Sequence, residues 1–172
     1  MPPIPNSKGD LIRVLFVCSG NICRSPTGQG ILESHVTKLG LAERFYIDSA
    51  GTSYGASSGR PPDKRSIRTS LLHGVDISGQ RSRTVSAHDF SEFDYILAMT
   101  KEQVAFLYSL SPKGKESSIF LITTFLSSAQ AEEIPDPYMN EDGFEEVFSL
   151  LELATKGFLS FLVQKGDIPP PI

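Results

Sequence analysis

Residues 11–17, LIRVLFV, are apolar enough to form a strand covered on both faces, and the residues after them turn almost at once into a helix. The turn is Cys18-Ser19-Gly20-Asn21-Ile22-Cys23-Arg24. Ser25 then offers an N-cap, and Pro26 suits the first helical position, where its missing N–H costs nothing. Ile31, Leu32, His35, Val36 and Leu39 follow at helical spacing, and Gly40 closes the helix. A buried strand feeding a helix through a tight turn is the opening of an α/β sheet, and few other folds accommodate it.

The same alternation continues along the chain. RFYIDSAGT (44–52), FDYILAM (93–99) and SSIFLIT (117–123) read as three further strands. Helices are expected from about Lys64 to Leu72, closed by His73-Gly74, and over KEQVAFLYSL (101–110). In 142–163, Phe144, Val147, Phe148, Leu151, Phe158, Leu159 and Leu162 make a wide apolar stripe that predicts a long packed helix. Right-handed crossovers then make a flavodoxin-like sheet of order 2-1-3-4 the simplest arrangement: four parallel strands in three layers, with helices on both faces. The 172 residues suit one domain, with its core over about 11–163 and flexible ends at 1–10 and 164–172. Ligands of such sheets bind beyond the carboxyl ends of the strands, beside strand one, where residues 18–25 fall.

What would bind there follows from the chemistry of the turn. Successive backbone N–H groups curling between strand and helix make an anion nest, and Gly20 is expected to relieve its backbone angles. The helix adds its positive end, and Arg24 a fork of donors matched to two phosphate oxygens. Positive potential favours the thiolate of Cys18, a nucleophile facing a bound phosphoryl group. The phosphate loop is therefore Ser19, Gly20, Asn21, Ile22, Cys23 and Ser25, between Cys18 and the helix, with Arg24 as clamp. Neither a Walker loop nor a dinucleotide fingerprint is present.

Composition narrows the partners. A net charge of −4 gives no reason to expect nucleic acid, and two cysteines cannot make a secreted disulfide framework. MPPIPNSKGD lacks the apolar core of a signal peptide, and no segment is long enough to span a membrane, so a reducing cytoplasm is expected. Cys23, five residues from Cys18, either packs behind the loop or forms a reversible disulfide with the nucleophile. The two roles are compatible, and the redox role is preferred.

VLFVCSGNICRSP resembles the signature of the low-molecular-weight protein tyrosine phosphatases, and IDSAGT, RPPDKR, HG, SR before DFSEFDYILAM, and IPDPY follow in the family's order. The resemblance implies a phosphocysteine enzyme with Cys18 as nucleophile, Arg24 as phosphate clamp and Asp136, stiffened by two prolines, as general acid and base. It implies a supporting network of Asn21, Ser25, Ser49 and His73, and a cleft walled by Tyr54, Tyr138 and Met139 that admits phosphotyrosine. Substrates would be phosphotyrosine proteins or peptides, with inorganic phosphate and similar oxyanions as competitors. No cofactor or metal is required, and a monomer is the default.

Two departures bear on selectivity: Ser19 stands where Leu is usual, and Met139 where many relatives have a second Tyr. Three other activities share the fold. An arsenate reductase needs further cysteines that this chain lacks. An arginine phosphatase carries a small Thr where Ile22 stands. A non-catalytic phosphotyrosine-binding module would not need the thiol, and a phosphocysteine carrier would not need Asp136.

Overall fold

The structure, a computed structural model, describes residues 11–127 and 130–171. Its strands are β1 (Ile12–Cys18), β2 (Phe45–Gly51), β3 (Tyr95–Ala98) and β4 (Ile119–Leu121). Its α-helices are α1 (Arg24–Lys38), α2 (Lys64–Leu72), a single turn α3 (Asp89–Glu92), α4 (Lys101–Leu110) and α5 (Gly143–Lys165). The strands form one parallel sheet in the order β2-β1-β3-β4, as the alternation of elements predicts.

β1 is central, and its side chains divide the core. Val14, Phe16 and Cys18 face a cluster that includes Ile31 and Leu32 of α1 and Phe148, Leu151 and Phe158 of α5. Leu15 and Val17 face the other cluster, with Val85, Phe90, Phe93 and Leu107. Period-two alternation with both sides apolar is what a doubly covered strand requires. Leu15 and Phe16 have no exposed surface, and burying each contributes about 1.5–3 kcal/mol. The strand that carries the loop is thus the best-anchored element of the sheet.

Three differences from the sequence expectations have local causes. The fourth strand is three residues long because the chain bends into a 3-10 turn at Ile122–Phe125. α3 was not expected; its single turn carries Asp89, whose carboxylate accepts from the Ser86 N–H. The segment after residue 163 is not a loose end: α5 runs to Lys165, Lys165 Nζ donates to Tyr95 Oη at 2.7 Å, and Ile168 is buried. Arg44 also donates to the Asp167 carbonyl at 3.0 Å. Residues 1–10 lie outside the described residues, and no described helix is long and apolar enough to cross a membrane.

Gly51 ends β2 opposite Cys18. Its N–H donates to the Arg83 carbonyl at 2.8 Å, and its own carbonyl accepts from Val85 N at 2.9 Å. A Cβ at this position would lie 2.5 Å from the Ser19 carbonyl oxygen and 2.6 Å from Ala56 Cβ. Backbone occupies that space, so a side chain fits only if the loop moves. Gly51→Ala should therefore cost about 1–3 kcal/mol in urea unfolding, as overpacking does, and lower turnover as well. An unchanged midpoint would show that the approach is looser than described.

Candidate active site

The loop from Ser19 to Cys23 is held open by side chains rather than by glycine. Asn21 has φ 57°, the one described non-glycine residue in the left-handed region, and Asn tolerates that region better than most. Gly20 does not carry the unusual angle expected of it, since it is absent from the positive-φ glycines. A Cβ there would meet only Ile22 Cγ1, at 3.7 Å. The turn needs one left-handed residue, and Asn21 supplies it with a side chain that can also bond.

That side chain is buried and fully used. Its Nδ2 donates to Ser25 Oγ at 2.8 Å and to Ser49 Oγ at 2.9 Å, while Oδ1 accepts from Arg83 N at 3.0 Å. Ser25 Oγ lies 3.0 Å from Cys18 Sγ. Because Ser25 accepts from Asn21, its own hydrogen is free to point at sulfur. The hydroxyl expected as an N-cap is spent on Cys18 instead. α1 begins at Arg24 with Cys23 as N-cap and no side-chain capping bond, which leaves first-turn N–H groups open to an anion.

His73 does not join this network. It ends α2, which packs on α5, so its ring stacks on Phe148 at 4.1 Å and its Nε2 meets Glu145 at 2.5 Å. Gln80 occupies the place expected for it. Ser49 donates to Gln80 Oε1 at 3.4 Å, and Gln80 Nε2 donates to the Pro26 carbonyl at 2.9 Å. A glutamine in a turn shows no periodicity, so the sequence offered no signal for it. Gln103 was also missed: its Nε2 donates to Ser19 Oγ at 3.1 Å, and its Oε1 accepts from Met99 N and Thr100 N.

Arg24 is buried, with Nη1 donating to the Ile134 carbonyl at 3.1 Å and Nη2 3.6 Å from Asp136 Oδ2. The ion pair brings the Asp-Pro loop over the phosphate loop across more than a hundred residues of chain. Asp136 is half-exposed at 57 %, and its Oδ1 accepts from Tyr138 N at 3.1 Å. Tyr138 and Met139 continue that rim and are exposed. Tyr54 stands on another side, following Ser53, whose N–H donates to the Ser19 carbonyl at 2.9 Å. At 93 % exposure Tyr54 lies at the mouth rather than in a packed wall. Ile22 is half-buried, and its carbonyl accepts from Asp63 N at 2.8 Å.

Both cysteines are free and buried. Burial pushes the Cys23 thiol up from 9.0 to about 12, against an opposing hydrogen bond with Ser66. Among the described residues no group of His, Cys, Asp and Glu is arranged to hold a metal ion.

The family model for low molecular weight phosphotyrosine protein phosphatase matches residues 13–167. The chain belongs to that family. It is 35 % identical to the low molecular weight protein-tyrosine-phosphatase YfkJ of Bacillus subtilis over 92 % of this chain and 100 % of that one. It is 36 % identical to the human low molecular weight phosphotyrosine protein phosphatase, covering 85 % of this chain and 92 % of the other. The crystal structure of YfkJ superposes with a TM-score of 0.85 at 33 % identity, over 92 % of this chain and 99 % of that one. A product-state mimic of an Entamoeba histolytica protein tyrosine phosphatase gives 0.83 at 33 % identity, over 89 % and 96 %. For a member of this phosphatase family, the spacing of thiol, guanidinium and carboxyl around one curled loop suits transfer of a tetrahedral anion to sulfur.

Two outcomes follow from this geometry. Asn21→Ala removes three hydrogen bonds and the residue suited to the left-handed angle; a drop in kcat with phosphate binding weakened should accompany a stability loss of about 1–3 kcal/mol in chemical denaturation. For Cys23, below pH 9.0 both folded and unfolded chains hold the thiol proton; between 9.0 and about 12 only the unfolded chain ionises. Stability should therefore fall with rising pH across that window. Cys23→Ala should show a shallower fall, and parallel curves for the two proteins would remove the thiol from the account.

Proposed function

We propose that the protein hydrolyses phosphotyrosine monoesters on proteins, and small aryl phosphates, through a phosphocysteine intermediate. The observation that carries this reading is the Cys18–Ser25 contact at 3.0 Å inside a loop crossed by the Arg24–Asp136 ion pair. The names of the two relatives, both tyrosine phosphatases, support it.

The substrate phosphate takes the fork of Arg24 and the loop N–H groups, displacing Asp136 from its partner, and the released carboxylate takes up from solvent the proton it will donate. Cys18 Sγ attacks phosphorus from the side opposite the phenolic oxygen. The P–O bond breaks as the Asp136 carboxyl gives its proton to that oxygen, and tyrosine leaves. Water then attacks phosphorus, Asp136 takes the proton, the S–P bond breaks, and inorganic phosphate departs with the thiolate restored. Ser25 holds the sulfur's charge in both half-reactions. Tyr54, Tyr138 and Met139 line the mouth where the aryl ring enters.

The same reading places the protein in the cytoplasm as a monomer, with phosphotyrosine proteins as partners. A protective Cys18–Cys23 disulfide fits the spacing, but a thiol pushed to about 12 attacks slowly until the loop opens around it.

The test is turnover of p-nitrophenyl phosphate and of phosphotyrosine, phosphoserine and phosphoarginine peptides by reduced protein. Phosphotyrosine should be preferred. Cys18→Ser should abolish turnover and keep phosphate binding, Arg24→Ala should lose both, and Asp136→Asn should cost about 10²–10⁴ in rate with poor leaving groups. Folded protein that binds phosphotyrosine without turnover would make it a binding module instead, and preference for phosphoarginine would change the substrate class.

A further inference from the structure

Arg65 joins two segments that the proposed chemistry puts on either side of the substrate. On one side is Asp63, whose N–H donates to the Ile22 carbonyl at 2.8 Å and so rests on the phosphate loop. Asp63 Oδ1 accepts from Arg65 N at 2.8 Å and Nε at 2.9 Å, and Oδ2 accepts from Nη2 at 2.9 Å. On the other side is the loop bearing Asp136. Arg65 Nη1 donates to Glu141 Oε1 at 2.6 Å, and the guanidinium lies 5.4 Å from the Tyr138 ring centre and 4.6 Å from that of Phe144. Tyr138 in turn donates its N–H to Asp136 at 3.1 Å. One planar cation therefore connects Ile22 to Asp136 through a short series of direct contacts.

These contacts differ in weight. Glu141 is 78 % exposed, and its ion pair alone contributes little. The bidentate grip on Asp63 fixes the plane of the guanidinium, and Arg65 retains only 22 % exposure of its side chain. Once the plane is fixed, the face presented to Tyr138 and the buried Phe144 is fixed as well. A lysine would keep the charge but neither the fork nor the flat face. Asp136 has its own ion pair with Arg24, but a substrate phosphate would claim that partner. Buried Ile134, whose N–H donates to the Met99 carbonyl at 3.0 Å, roots the base of that loop in the core. At the moment of reaction, though, the exposed Asp136 two residues on needs a hold of its own that does not depend on Arg24.

We propose that Arg65 is a positioning residue that keeps Asp136 at proton-transfer distance while Arg24 is occupied by phosphate; this rests on the reading of Asp136 as the proton donor. A misplaced donor harms substrates in proportion to how much their leaving oxygen needs a proton. The series to measure is kcat/KM, which reports the first chemical step, for aryl phosphates from phenyl to p-nitrophenyl phosphate, using wild type, Arg65→Gln, Arg65→Lys, Asp136→Asn and the Arg65→Gln/Asp136→Asn double variant. Inhibition by inorganic phosphate is measured alongside.

Arg65→Gln should lose about 10- to 100-fold on phenyl phosphate and far less on p-nitrophenyl phosphate, with phosphate inhibition unchanged. Arg65→Lys should fall between Arg65→Gln and wild type, and should serve if Arg65→Gln fails to fold. The double variant should be no slower than Asp136→Asn, because the positioning residue acts only through that carboxyl. Equal losses across the leaving groups, or a double variant slowed by the product of the single effects, would overturn the proposal and leave the reading of Asp136 intact. An Asp136→Asn variant without leaving-group dependence would overturn both.

Discussion

One side-chain amide sets the shape on which the site depends. Asn21 supplies the left-handed turn, and its three hydrogen bonds reach Ser25 on α1, Ser49 on β2 and the backbone of Arg83. These three anchors belong to separate stretches of chain, so the loop cannot relax in one direction without stretching another bond. In a buried setting such a network is worth keeping only when every member is paired, and here Asn21 has no unused polar atom. Ser25 is the output of the arrangement: being an acceptor toward Asn21, it is left as a donor toward Cys18. The direction of the bond to Cys18 is thus set two residues away from it in the network.

Around that fixed loop the remaining parts are held with graded firmness. Cys18 sits at the end of β1, a strand paired on both sides in the sheet, and Arg24 is 4 % exposed. Asp136, by contrast, is exposed on a loop whose neighbours Ile134 and Pro137 are buried. The loop is rooted in the core, while the Asp136 carboxyl is held only by an ion pair and a backbone N–H. The division is physically sensible. In the proposed mechanism the groups that meet phosphorus in line tolerate little error, whereas the proposed proton donor has to give way to an incoming ring and return. Rigid sulfur and guanidinium, with a carboxyl on a tethered loop, separate these demands between strand and loop.

The sheet was legible because both its signals are local: apolar runs with covered faces, and helical stripes between them. The end of α2 was legible for the same reason, with His73-Gly74 marking it. The phosphate loop was legible as a string of residue types, but not as a geometry. Gly20 drew the left-handed angle by its reputation, while Asn21 took it because its side chain could bond as well. Ser25 fitted the pattern of an N-cap, yet a hydroxyl beside a thiol is more valuable inside the network than at the helix end. His73 was placed by motif order alone, whereas the packing of α2 on α5 commits its ring to Phe148. Gln80 acts through contacts distant in sequence, and the roles of Gln103 toward Ser19 and of Arg65 toward Glu141 and Tyr138 likewise arise only across long stretches of chain. What the sequence could not carry was the set of contacts that exist only after the chain has folded back on itself.

A chain of net charge −4 that receives a dianion needs a local explanation, since the average field opposes binding. At physiological salt, charges beyond about 8 Å are largely screened, so distant carboxylates on the surface matter little. Within the site the formal charges of Arg24 and Asp136 offset each other before substrate arrives. Attraction then comes from dipoles: the loop N–H groups, the uncapped start of α1, and hydroxyls whose partners leave their hydrogens free. Ser19 fits this account. Its hydroxyl accepts from Gln103, which is itself held by two backbone N–H groups after β3, so its own hydrogen is left unspent by that bond. Fixed dipoles attract phosphate strongly at short range and fade before they reach the bulk. Entry to the loop is therefore governed by how closely an anion can approach these dipoles.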